Sequence, residues 1–178
     1  VRDPFIAYNP ESKTYYVLAT DLRVFGSDNA GWGTWATGYS TKLHVWSSKD
    51  LIHFNDMTEL ETATADKYTA NPNKSQTLTD SVTGKTISEI GMAWAPEATW
   101  VPNFYDLNDD GQLNGSDKDN PKNQQGGAFV VYWSVSAKYD GENSQPGKKV
   151  THVLWAATKD FTNETYMFGG VFVPNSKY

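Results

Sequence analysis

No cysteine occurs among the 178 residues. That excludes a disulfide framework, thiol chemistry and any cysteine-based zinc site. Histidine is scarce as well: there are three, and none has the spacing of a zinc motif. No apolar run approaches the roughly 20 residues of a membrane span. No window carries the apolar stripe of an amphipathic helix. Positive charge is in the minority, with 15 Lys and Arg against 21 Asp and Glu, for a net charge of −6. An acidic field gives no support to nucleic-acid or anionic-membrane binding. No signal peptide is visible, and the chain opens on Val1.

Aromatic side chains are abundant: 14% of the chain, with seven Trp and ten Tyr. In a polar, cysteine-free chain that fits a β-rich core or surfaces that stack on sugars. The apolar pattern is short and alternates with period two. Segments 4–8, 14–20, 42–46, 129–135 and 150–157 read as strands rich in Val, Tyr, Phe and Trp. Asn9-Pro10-Glu11-Ser12 reads as the turn between the first two. Polar stretches over 21–38, 62–88 and 106–127 read as long loops, and loops of that length carry function or move. The fold class expected is all-β.

The order of segments repeats. L-H-V-W-S-S-K-D-L (43–51) matches V-L-W-A-A-T-K-D-F (153–161). Upstream of each lies an aromatic strand, T-Y-Y-V-L-A-T-D or F-V-V-Y-W-S-V-S, and before those come D-P-F-I-A-Y and A-P-E-A-T-W. A repeated four-strand unit is the signature of β-propeller blades. The expectation is about two blades. The first, with long loops, occupies 1–93. The second, with the start of the next strand, occupies 94–178. A propeller needs at least about four blades to close, so the chain is expected to be part of one larger domain. Trp46 and Trp155 are expected at matching repeat positions, packing between blades. Asp50 and Asp160 are expected to cap matching turns.

One segment falls outside the repeat. In D-L-N-D-D-G-Q-L-N-G-S-D, residues 106–117, oxygen ligands fall in the order of a twelve-residue calcium loop: Asp106, Asn108, Asp110, the Gln112 carbonyl, Asn114 and Asp117. Gly111 stands where such a loop turns sharply. Position twelve is Asp rather than the bidentate Glu of an EF-hand, and the form resembles a dockerin loop. Pro121 and a double glycine follow, so no partner helix is expected. A dockerin scaffold module would need a second loop and two helices. The insertion has no counterpart in the first repeat, so calcium is expected as a structural cofactor.

V-R-D-P-F-I, S-S-K-D-L-I-H-F and W-A-P-E-A, in register across the two repeats, resemble glycoside hydrolase family 43. That family contains five-bladed propellers acting on arabinofuranosides and xylosides. The resemblance implies inverting hydrolysis of arabinofuranosyl or xylosyl linkages in plant polysaccharides by a secreted or cell-surface bacterial protein. Inversion needs a carboxylate base and a carboxylic acid, about 6.5–9.5 Å apart, with a water between base and sugar. The family's base maps onto Asp3. Its general acid and its pKa-tuning Asp belong to later blades, so the isolated chain is expected to be inactive. Trp94 and Glu97 are expected beside the substrate, Glu97 as a pocket-rim or structural carboxylate. Arg2 is expected to pair with a carboxylate. Trp32 and Trp35, flanked by glycine, are candidates for a distal sugar contact. The alternatives are a carbohydrate-binding propeller without activity and a fructan-hydrolase-like furanosidase. That last group opens with W-x-N-D-P-N-G and carries E-C-P, neither of which is present.

Overall fold

A computed structural model describes residues 1–22, 40–62, 86–90, 92–105, 125–139 and 152–173. Ten strands form, and no helix is found among these residues. β1 (Arg2–Asn9), β2 (Thr14–Thr20), β3 (Lys42–Ser48) and β4 (Thr58–Glu61) make one antiparallel sheet in that order. β6 (Trp94–Val101), β7 (Ala128–Val135), β9 (His152–Thr158) and β10 (Met167–Val173) make the second, in the order β6-β7-β9-β10. These are the two repeats, each a four-stranded blade. A small ribbon pairs β5 (Ile87–Ile90) with β8 (Ala137–Tyr139) and so ties the first segment to the second. The 62–88 stretch is thus not wholly loop, since β5 begins at Ile87.

Local chemistry sets the turns. Asn9 Oδ1 accepts the backbone N–H groups of Glu11 (2.9 Å) and Ser12 (3.0 Å), an Asx turn that reverses β1 into β2. After β3, Ser48 Oγ accepts from Leu51 N (2.8 Å), while Asp50 Oδ1 accepts from Ile52 N and His53 N. After β9, Thr158 Oγ1 accepts from Phe161 N (2.9 Å), and Asp160 Oδ1 from Thr162 N (3.2 Å). Leu51 and Phe161 both adopt left-handed backbone, at φ 61° and 57°. The two Lys-Asp turns are one device built twice, and Asp50 and Asp160 cap them as expected.

The core lies between the sheets. Leu18, Leu43, Val45 and Leu60 from the first meet Phe129, Val131, Trp133 and Leu154 from the second, all buried. Phe129 stacks on Phe161 at 4.6 Å and meets Tyr16 edge-on at 5.8 Å. The two blades therefore bury opposite faces of the same repeat unit. The register corrects the expected match of Trp46 with Trp155. Trp46 pairs with Val17, which pairs with Ile6, three residues past Asp3. Trp155 pairs with Tyr132, which pairs with Glu97, two residues past Ala95. The two tryptophans lie one cross-strand row apart, each on its blade's face away from the core. Two polar ties also cross the seam: Asn9 Nδ2 donates to Lys159 O (3.0 Å) and Tyr166 Oη to Thr62 O (2.9 Å).

Candidate active site

The leading strands β1 and β6 are neighbours across the seam, and each opens on a bulge. On β1, Arg2 pairs with Thr20 and Phe5 with Leu18, so the first strand holds one extra residue. On β6, Trp94 pairs with Ser134 and Glu97 with Tyr132, the same slip at the same place. The extra residue is left-handed in both: Asp3 at φ 50° and Ala95 at φ 49°, each followed by proline. Proline within a bulge fits, because it has no N–H to give to the ladder. Bulges re-aim side chains and collect near active sites. Left-handed backbone at a residue other than glycine costs roughly 1–2 kcal/mol, so the surroundings must hold it.

The holding group is Thr20. Its side chain is fully buried. Thr20 Oγ1 donates to Asp3 Oδ2 at 3.2 Å and accepts the backbone N–H of Ala95 at 2.9 Å. One hydroxyl thus orients the Asp3 carboxylate and joins the two bulges. Asp3 is itself exposed, so its second oxygen can meet water. The sequence pattern singled out Asp3 but not Thr20, which read only as the last residue of a strand. The alignment of D-P with A-P was the available signal that a partner bulge lay opposite.

Arg2, exposed, lies beside Asp3 on β1. Trp94, half-buried, immediately precedes the Ala95 bulge and is therefore close to the joint. Glu97 is on the second blade's face away from the core. Its Oε2 accepts the phenol of Tyr132 at 2.7 Å, and this hydrogen bond to a carboxylate, with some burial, raises the Tyr132 pKa. Tyr132 stacks on Phe172 (5.6 Å, 10°). Trp155 lies directly over Gly169, where a Cβ would meet the indole at 2.1 Å. Glu97, Tyr132, Phe172 and Trp155 form one aromatic surface with a carboxylate at its margin. Trp32, Trp35 and the calcium-loop set Asp106, Asn108, Asp110, Gln112, Asn114 and Asp117 lie outside the described residues.

A family model described as "probable glycosyl hydrolase domain", of the kind related to glycoside hydrolase family 43, matches residues 1–177. The chain belongs to this family. It is 28% identical over 174 residues to an alpha-L-arabinofuranosidase of Bifidobacterium longum subsp. longum, across 93% of this chain and 12% of that protein. It therefore spans a small part of that relative. The native arabinanase Arb43A of Bacillus subtilis aligns over 99% of this chain and 39% of that one, at 16% identity and a TM-score of 0.43. In this chain the Asp3–Thr20–Ala95 joint holds an exposed carboxylate where the leading strands of the two blades meet.

Proposed function

We propose that the protein hydrolyses arabinofuranosyl linkages of plant polysaccharides with inversion, with Asp3 as the general base. The observation that carries this reading is the Asp3 carboxylate itself. It is exposed, re-aimed by a bulge and held on one oxygen by Thr20 Oγ1. In the step proposed, a water oxygen attacks the anomeric carbon while the bond to the leaving oxygen breaks. The water proton passes to the free oxygen of Asp3, and a carboxylic acid supplied by a further blade protonates the leaving oxygen. The Thr20 hydroxyl keeps the carboxylate from rotating and takes no part in the proton transfer. The arabinose preference draws support from the relative's activity, and the position of Trp94 beside the bulge supports a sugar contact there. The same reading gives the 106–117 loop to calcium, as a brace rather than a reactant, on the order of its oxygen ligands.

The test is Asp3→Asn in the full-length protein, assayed on an aryl arabinofuranoside. The amide keeps the shape but cannot take a proton. Turnover is expected to fall by about 10²–10⁴, the span of general-base loss, while sugar affinity measured by calorimetry is retained. Wild-type turnover in Asp3→Asn removes the assignment. A wild type that binds arabinosides without hydrolysing them moves the protein to the class of non-catalytic carbohydrate-binding propellers.

A further inference from the structure

We infer that Asp21, His44 and Glu59 form a binding site for a divalent transition-metal ion of the zinc class, on the face of the first sheet away from the core. Three neighbouring strands bring the ligands together. His44 is on β3 and pairs directly with Glu59 on β4, so both side chains leave the same face. Asp21 continues β2, which pairs with β3 on its other side. His44 Nε2 lies 3.3 Å from Asp21 Oδ1 and 3.9 Å from Glu59 Oε1. One ligand atom from each of the three residues falls within 4.8 Å of the others. Tetrahedral zinc with bonds of about 2.0–2.2 Å sets its ligands about 3.3–3.6 Å apart, so a small contraction closes the set.

Three further features favour a metal over a proton. Imidazolium offers its two N–H donors on different sides of the ring, yet both carboxylates here approach the same nitrogen. The ring is already oriented: the His44 side chain is only 15% exposed, and the ring meets Trp46 edge-on at 6.0 Å and 79°. A ligating carboxylate is oriented as well: Lys42 Nζ takes the other Glu59 oxygen, Oε2, at 2.5 Å, as the outer partner of a metal ligand does. A nitrogen ligand beside two carboxylates suits zinc or its neighbours better than calcium or magnesium, which prefer oxygen alone. Three protein ligands leave a fourth position for water.

The experiment is equilibrium dialysis and calorimetry of zinc with untagged full-length protein. Excess calcium keeps the 106–117 segment from competing. Wild type, His44→Ala and the more exposed Glu59→Gln are compared, with melting curves to show that each variant is folded. Cobalt serves as a visible reporter, since tetrahedral cobalt absorbs intensely. The inference expects a saturable equivalent of zinc in wild type, lost in His44→Ala and weakened in Glu59→Gln, with the cobalt band following. Absence of saturable zinc binding in wild type overturns it, as does equal stoichiometry and affinity in both folded variants. Neither readout depends on hydrolysis, so the outcome is separate from the assignment of Asp3.

Discussion

The Glu11 carboxylate, on the turn between β1 and β2, accepts the backbone N–H of Gly127 from the second blade at 2.7 Å. The approach is close enough that a Cβ on Gly126 would meet Glu11 Oε1 at 2.8 Å, and one on Gly127 the Trp100 ring at 2.5 Å. Lys159 Nζ stands 3.9 Å from the other oxygen and adds little at that distance and exposure. Glu11→Ala is expected to cost about 1 kcal/mol, the typical net worth of a hydrogen bond, because half exposure takes away the extra strength of a charged acceptor. Glu11→Gln keeps an acceptor and should recover most of it. Urea midpoints of the three proteins measure this, and no change in Glu11→Ala would show the clasp to be idle.

Thr20→Val removes the hydroxyl that serves Asp3 and Ala95 while keeping the shape. The carboxylate then loses its fixed orientation, so kcat should fall by about tenfold, less than loss of the base itself, with KM little changed. Thr20→Ser, which restores the hydroxyl, should restore kcat. An unchanged kcat in Thr20→Val, with Asp3→Asn still impaired, would leave Asp3 its role and deny Thr20 one.

Tyr105 is fully buried, and its hydroxyl has no hydrogen-bond partner among the described residues. Burial, and then the negative charge of Asp160, push its pKa up to about 12. The unfolded chain titrates it near 10. Between those values the native state holds a proton that the unfolded state has released. The contribution to stability is thus complete below about pH 10 and is lost as pH rises toward 12. Chemical unfolding measured across that window should show stability falling, more gently in Tyr105→Phe. At neutral pH the phenylalanine variant should be no less stable than wild type, because it removes a buried polar group.

Removal of calcium should lower the melting temperature. Binding to the native state alone adds RT ln(1 + [L]/Kd), about 2.7 kcal/mol at a hundredfold excess. The Asp106→Ala, Asp110→Ala double variant should melt alike in calcium and in EDTA. A wild type indifferent to both would return the 106–117 segment to a solvated acidic turn.

Much of the fold was legible because the central strands advertise themselves. T-Y-Y-V-L-A-T is β2 residue for residue, and β1, β3, β7 and β9 differ from the expected segments by a few terminal residues. Aromatic and β-branched residues at period two leave little else for them to be. T-E-L-E and A-K-Y are short, and charged residues interrupt the apolar pattern in each. β4 and β8 exist because a neighbour pairs with them, which local pattern does not report. Asp3 was legible through its motif. Thr20 was not, since its two partners are distant in sequence, Ala95 by 75 residues. Trp46 and Trp155 were placed a row wrong by a slip of one residue: the aligned segments 43–51 and 153–161 themselves put Trp46 fourth and Trp155 third, and both leave the core because adjacent blades bury opposite faces.

Asp3 and Ala95 carry the same backbone angle, the same following proline and the same bulge, yet only one has a side chain able to move a proton. Strain at an exposed aspartate invites the explanation that catalysis maintains it. The alanine twin removes that explanation, because the identical contortion persists where there is nothing to catalyse. The twisted backbone is a fitting moulded into each copy of the unit, like a bracket cast on every panel whether or not anything hangs there. On the proposed role of Asp3, chemistry depends on which bracket carries a carboxylate, and a blade of this kind offers a ready mount for a functional group whether or not one is present.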